Sequence, residues 1–169
     1  MTYEELYDEW INQPYEDSCP EKFEISDGAA IIPEGTTEIS NYVFDDCRTL
    51  ESIVIPESVT EIGYAAFFRC VALKSIIIPE SVTKIGEAAF VGCSSLESIT
   101  IPNSVKEIGE YAFWGCASLK SITIPDSVIN VSKNAFESSN NITIKCNENS
   151  TAHNYAVKNG IDFKFIGSV

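Results

Sequence analysis

The chain holds a single histidine, His153, among 169 residues, so sites built from several imidazoles are excluded and histidine base catalysis has little to work with. Basic residues are also scarce. Lys and Arg number 11 against 25 Asp and Glu, a formal net charge of −14. Nucleic acids and anionic membrane surfaces are held by basic footprints, so neither is an expected partner. No apolar run approaches the ~20 residues of a membrane-spanning helix, and no membrane insertion is expected. There is no G-x-G-x-x-G phosphate loop and no C-x-x-C pair of the kind that builds zinc sites. What remains is a chain that is 44% hydrophobic and 21% charged, the composition of a sequence that folds around a core.

A 23-residue period runs through that composition. Cys47, Cys70, Cys93 and Cys116 are 23 apart, and so are Phe44, Phe67, Phe90, Phe113 and Phe136. The Ile-Pro pairs beginning at Ile32, Ile55, Ile78, Ile101 and Ile124 keep the same spacing, as do Ile39, Ile62, Ile85, Ile108 and Val131. Leu50, Leu73, Leu96 and Leu119 open the clearest units, of which residues 73–95 read LKSIIIPESVTKIGEAAFVGCSS. Periods of this length signal a repeat architecture.

In LKSIIIP, Ile76 and Ile78 alternate with Ile77, which predicts a short strand with two residues facing inward. Proline ends the strand because it cannot donate to a ladder. Val82, Ile85, Ala89 and Phe90 must also point inward on the return. One unit cannot bury these side chains, whereas stacked units close a continuous core with strands about 4.8 Å apart. The expected fold is an α/β repeat solenoid, a right-handed superhelix with a parallel β-ladder and helical caps. Residues 1–26 are read as an N-terminal cap, with a helix through Tyr3, Leu6, Tyr7, Trp10 and Ile11 and an edge strand at Phe23–Ile25. Five repeats fill 27–141. Residues 142–169 form the C-terminal cap, with a strand from Ile142, a helix starting at Ser150 and ending at Gly160, and a final strand within 161–166.

The pattern LxxIxIPxSVxxIGxxAFxxC, followed by the tail NSTAHNYAVKNGIDF, resembles the BspA-like, or Treponema-type, class of leucine-rich repeats. That resemblance implies a leucine-rich-repeat fold; separately, because the residues show no catalytic constellation, an enzyme is the weakest reading and no cofactor is expected. The resemblance also implies a role in adhesion or protein binding at a cell surface. The opening MTYEELYDEWINQ is acidic and lacks the basic and apolar regions of a signal peptide, so the chain as given is expected to be cytoplasmic if complete.

Two surfaces are candidates for a protein partner. The residue after each core Phe is Asp45, Phe68, Val91, Trp114 or Glu137. If Phe points inward, Phe68, Val91 and Trp114 lean outward as an apolar patch with an acidic rim. The other reading folds these side chains over the turn against Arg69 or Tyr111. The second surface is the outward side of the strands, where Ile31, Val54, Ile77, Thr100 and Thr123 lie beside Ser52, Ser75, Ser98 and Ser121. The alternative to partner binding is self-assembly, with the aromatic stripe forming a homodimer.

Other periodic residues have structural explanations. The cysteine ladder is expected to be buried and reduced, with Cys19 and Cys146 also free. The alternating signs at Glu51, Lys74, Glu97 and Lys120, and at Glu61, Lys84 and Glu107, are expected to favour correct register. His153 is expected to be a solvated helix residue, and Gly63, Gly86 and Gly109 turn glycines. No catalytic or metal-binding constellation is predicted.

Overall fold

A computed structural model describes residues 18–21, 23–139 and 141–167. Each 23-residue unit makes one coil with two short strands. The first strands of the successive coils are β2 (Ala29–Ile31), β4 (Ser52–Val54), β6 (Ser75–Ile77), β8 (Ser98–Thr100), β10 (Ser121–Thr123) and β12 (Thr143–Cys146). The return strands are β3 (Glu38–Ile39), β5 (Glu61–Ile62), β7 (Lys84–Ile85), β9 (Glu107–Ile108) and β11 (Asn130–Val131), which form one five-stranded sheet. Neighbours in these ladders are parallel and strictly in register, so Ile53 pairs with Ile76 and Ile62 with Ile85.

The local sequence explains each turn of the coil. After the strand, the proline carbonyl accepts the amide of the Val three residues on, as in Val82 N–H to Pro79 O at 3.1 Å, so IPxSV folds as a tight turn. Past the return strand the chain crosses a corner that needs a left-handed backbone. Gly92 and Gly115 supply it at φ 70° and 67°, while Asp46, Arg69 and Ser138 adopt it without glycine. The corner amides then bond to the next coil, as Phe67 N–H does to Ala89 O at 2.8 Å. Gly86 answers a different demand. A Cβ there would lie 2.7 Å from the Gly63 carbonyl carbon, so this column is glycine because two backbones touch.

The core is a set of side-chain columns. Phe44, Phe67, Phe90, Phe113 and Phe136 stack with ring centroids 5.2–5.3 Å apart and planes within 6° of parallel. Phe23 extends the column at one end, 5.3 Å from Phe44. Tyr155 closes the other, edge-on to Phe136 at 5.9 Å, with its hydroxyl donating to Lys133 O. Leu50, Leu73, Leu96 and Leu119 form a second buried column, and Ile39, Ile62, Ile85 and Ile108 a third.

Two expectations are corrected. Among the described residues the repeats contain no helix, so the α/β description gives way to a parallel β-solenoid. The helical content among the described residues is α1 (Thr151–Asn159), capped by Ser150 and ended by Gly160 at φ 65°. The expected N-terminal helix lies outside the described residues. The edge strand is β1 (Ile25–Ser26), two residues later than the alternation implied, and it pairs antiparallel with β2 through the Asp27-Gly28 turn. At the other end β12, α1 and β13 (Asp162–Phe165) form a crossover that adds one more parallel strand.

Phe90 and Val91 are both fully enclosed. Phe90→Ala should therefore cost about 3–5 kcal/mol and Val91→Ala about 1–3 kcal/mol in urea unfolding. A Val91→Ala variant as stable as the parent would place that side chain outside.

Candidate functional site

The outward side of the first-strand sheet is where large apolar side chains meet solvent in register. Ile31, Val54 and Ile77 pair directly across β2, β4 and β6 and are 65%, 63% and 82% exposed. Ser52, Ser75 and Ser98 are exposed on the same strand faces. The period-2 alternation places them there, because Ile53, Ile76 and Ile99 between them enter the core. The stripe changes after three coils, where Thr100 and Thr123 occupy the same position. The sheet changes at the same place. Strands β1, β2, β4 and β6 form one four-stranded sheet, strands β8, β10, β12 and β13 form another, and β6 and β8 lie side by side without ladder pairing. The change from aliphatic to threonine is legible in the repeat pattern, whereas the seam is not.

The second candidate surface is not on the surface. Phe68, Val91 and Trp114 are only 7%, 0% and 4% exposed. They form a separate buried cluster with Ala65 and Ala88, flanked by Tyr64 and Tyr111. The outward expectation assumed strand-like alternation after the core Phe. Here the chain turns twice through left-handed residues, Ala65 and Arg69 in one coil and Ala88 and Gly92 in the next, so the neighbour of Phe is folded under the corner. Arg69 lies over the Phe68 ring at 5.3 Å and forms an ion pair with Asp46, both side chains being nearly enclosed. Burial pushes the Asp45 carboxyl upward, with the Arg69 charge opposing it.

The cysteines divide into two groups. Cys70, Cys93 and Cys116 are buried thiols outside any disulfide, and their Sγ atoms donate to the carbonyls of Phe44, Phe67 and Phe90 at 3.1–3.2 Å. Ser139 takes the same position in the next coil and donates to Phe113 O. Each thiol points at a carbonyl of the preceding coil, so the ladder does not crosslink itself. Burial raises the Cys93 thiol well above its ordinary value and pushes Cys116 up to about 12, which keeps both protonated as donors and poor nucleophiles. Cys47 differs from the expectation of a reduced ladder, and Cys19 from that of a free thiol. They form a disulfide, with Cα atoms 4.3 Å apart. Cys47 sits on the first full coil, and the lead-in chain brings Cys19 to it. The off-period position of Cys19 gave no sign of this pairing. Cys146 is free and buried.

The charge ladders form ion pairs between coils. Lys74 Nζ lies 2.6 Å from Glu51, Lys84 Nζ 2.8 Å from Glu61 and Lys120 Nζ 3.3 Å from Glu97. The Glu61 bond raises the Lys84 pKa. All three pairs are solvent-exposed, so their value lies in register more than in stability. His153 is not simply solvated. Its ring packs 4.6 Å from Phe163 and 5.1 Å from Phe165, and Nδ1 accepts the Asn149 amide at 3.0 Å. Among the described residues, no three His, Cys, Asp or Glu side chains converge on a metal site, and no helix is long and apolar enough to cross a membrane.

Stacked 23-residue coils, buried leucine and phenylalanine columns and parallel ladders define a leucine-rich-repeat solenoid. Residues 24–157 match six copies of the BspA type leucine-rich-repeat region, and the chain belongs to that family. No curated protein sequence matches it significantly. Among solved structures, it is similar to a leucine-rich cell surface protein from Faecalibacterium prausnitzii, with 34% identity and a TM-score of 0.72 over 79% of this chain and 39% of that one. A leucine-rich-repeat protein from Bacteroides ovatus is 33% identical, with a TM-score of 0.58 over 69% of this chain and 39% of its own. The T. pallidum leucine-rich-repeat protein is 26% identical, with a TM-score of 0.63 over 88% and 86% of the two chains. The chain thus spans about two fifths of the length of the first two relatives, 39% of each.

Two measurements follow from the cysteines. Thiol titration in denaturant without reductant should find four free thiols of the six cysteines; six would remove the disulfide. The Cys93 and Cys116 pKa values lie above the ordinary thiol value of 9.0 in the folded state. Their contribution to stability is therefore complete below about pH 9 and is lost progressively as pH rises above it, for Cys116 towards 12. A Cys93→Ser/Cys116→Ser protein should show a shallower alkaline decline than the parent, and parallel curves would contradict it.

Proposed function

We propose that this protein is a non-enzymatic binding module that recognises a protein partner through the outward face of its first sheet. One observation carries the reading: Ile31, Val54 and Ile77 form an in-register apolar row that is 63–82% exposed, on strands joined by parallel ladders from β2 to β4 and from β4 to β6. Isolated exposed aliphatics need no explanation, but an aligned row with serines beside it is the kind of surface that partners cover. The face is rigid before binding, so association loses little ordering entropy. Homodimerisation through Phe68, Val91 and Trp114 has no support, because those side chains are enclosed.

The location proposed is outside the cytoplasm. Disulfides persist in oxidising compartments, and Cys19–Cys47 is one. The resemblance to a protein described as a leucine-rich cell surface protein supports the same location, and with it a role in adhesion.

Photocrosslinking tests the face. A benzoylphenylalanine replacing Ile77 should give a discrete protein adduct in the producing cells or their surroundings. The same group replacing Ile129, which is 69% exposed beside the return sheet, should not. Adducts at Ile129 alone, or equally at both positions, would remove the sheet face from the proposal.

A further inference from the structure

We infer that the partner segment received by this face is cationic as well as apolar. This rests on the sheet-face reading and adds the chemistry of what binds there. In each of the first three coils, the exposed aliphatic is followed three residues later by an exposed glutamate: Ile31 with Glu34, Val54 with Glu57, and Ile77 with Glu80. In the fourth coil both positions change together, to Thr100 and Asn103, and in the fifth to Thr123 and Asp126. That change coincides with the unpaired seam between β6 and β8. One hydrogen-bonded sheet therefore carries the three aliphatics, and the turns that leave its strands carry the three glutamates, although the fifth coil has an acid again at Asp126. At its boundary Ile77 and Glu80 line one groove with Ser75, Ser98 and Thr100.

The two flanks of the stripe are built differently. On one side, successive coils alternate in sign, and Lys74 neutralises Glu51. On the other, Glu34, Glu57 and Glu80 repeat the same sign at the coil spacing of about 4.8 Å. Among the described residues no basic side chain pairs with any of the three, although Glu80 accepts the Asn103 amide at 3.0 Å. Like charges stacked at that spacing repel one another, and the alternation on the first flank removes that cost. Keeping the repulsion beside the aliphatic row leaves a negative rim that a partner's Lys or Arg side chains relieve on binding. The apolar row would supply contact area and the rim orientation and approach rate, in a molecule whose net charge of −14 already favours cationic partners.

The test uses random peptides of about twelve residues displayed on phage and selected on the whole protein. Enriched peptides are synthesised and titrated by fluorescence anisotropy. The titrations use the parent, an Ile31→Ser/Val54→Ser/Ile77→Ser variant and a Glu34→Gln/Glu57→Gln/Glu80→Gln variant. Circular dichroism checks that each is folded. Enriched peptides should place Lys or Arg beside aliphatic or aromatic residues. Their Kd should rise about tenfold or more in both variants, and should weaken with salt in the parent. Loss in the Ser variant but not in the Gln variant overturns the cationic inference and leaves the sheet-face reading intact. Equal binding to all three proteins defeats both. Polylysine binding as tightly as the selected peptides, or no enrichment at all, also overturns the inference, while the crosslink at Ile77 remains an independent check of the face.

Discussion

Every part of this molecule answers to the spacing of its coils. Backbone hydrogen bonds hold successive strands about 4.8 Å apart, and any side chain in the interior meets its own copy above and below. Flat rings satisfy that spacing well, which is why the phenylalanine column holds 5.2–5.3 Å between centroids with nearly parallel planes. The same spacing brings Gly86 against the Gly63 carbonyl and leaves no room for a Cβ. It also places each ladder cysteine within reach of a phenylalanine carbonyl from the preceding coil, where a small, protonated donor satisfies a buried acceptor.

A stack with this logic has a difficulty only at its ends, where a coil lacks one neighbour. The two ends are closed differently. At the first coil the lead-in chain contributes Phe23 to the ring column and Cys19 to the disulfide with Cys47. At the last, α1 turns Tyr155 edge-on over Phe136, and β13 covers the open side of β12. A covalent bond constrains the unfolded chain as well as the folded one, so the first end is closed by chain entropy as much as by packing.

The exterior is free of the stacking demand wherever side chains reach solvent, and there the coils diverge from one another. Alternating charge on one edge of the first-strand sheet specifies register. The aliphatic residues on the rest of that face, and the glutamates in the turns beside it, serve no stacking purpose, and the aliphatics stop after three coils at the seam between β6 and β8. A preformed surface of this kind binds without reorganising, so affinity depends on complementarity and not on folding.

The sequence by itself determined the period, the strand before each Ile-Pro turn, the inward columns and the residues Ile31, Val54 and Ile77 that face out. Each follows from a two-residue alternation or a 23-residue repeat visible in the letters. Alternation misled where the backbone stops alternating: the left-handed residues around Phe67 and Phe90 fold Phe68 and Val91 inward, and Trp114 joins them. Periodicity was silent about Cys19, because an off-period residue pairs with Cys47 only once the lead-in chain has been laid across the first coil. The seam after β6 was likewise decided in three dimensions, although the change to Thr100 and Thr123 that accompanies it is written in the sequence. Register within a coil is written in local sequence, whereas how closely two coils approach depends on everything packed between them.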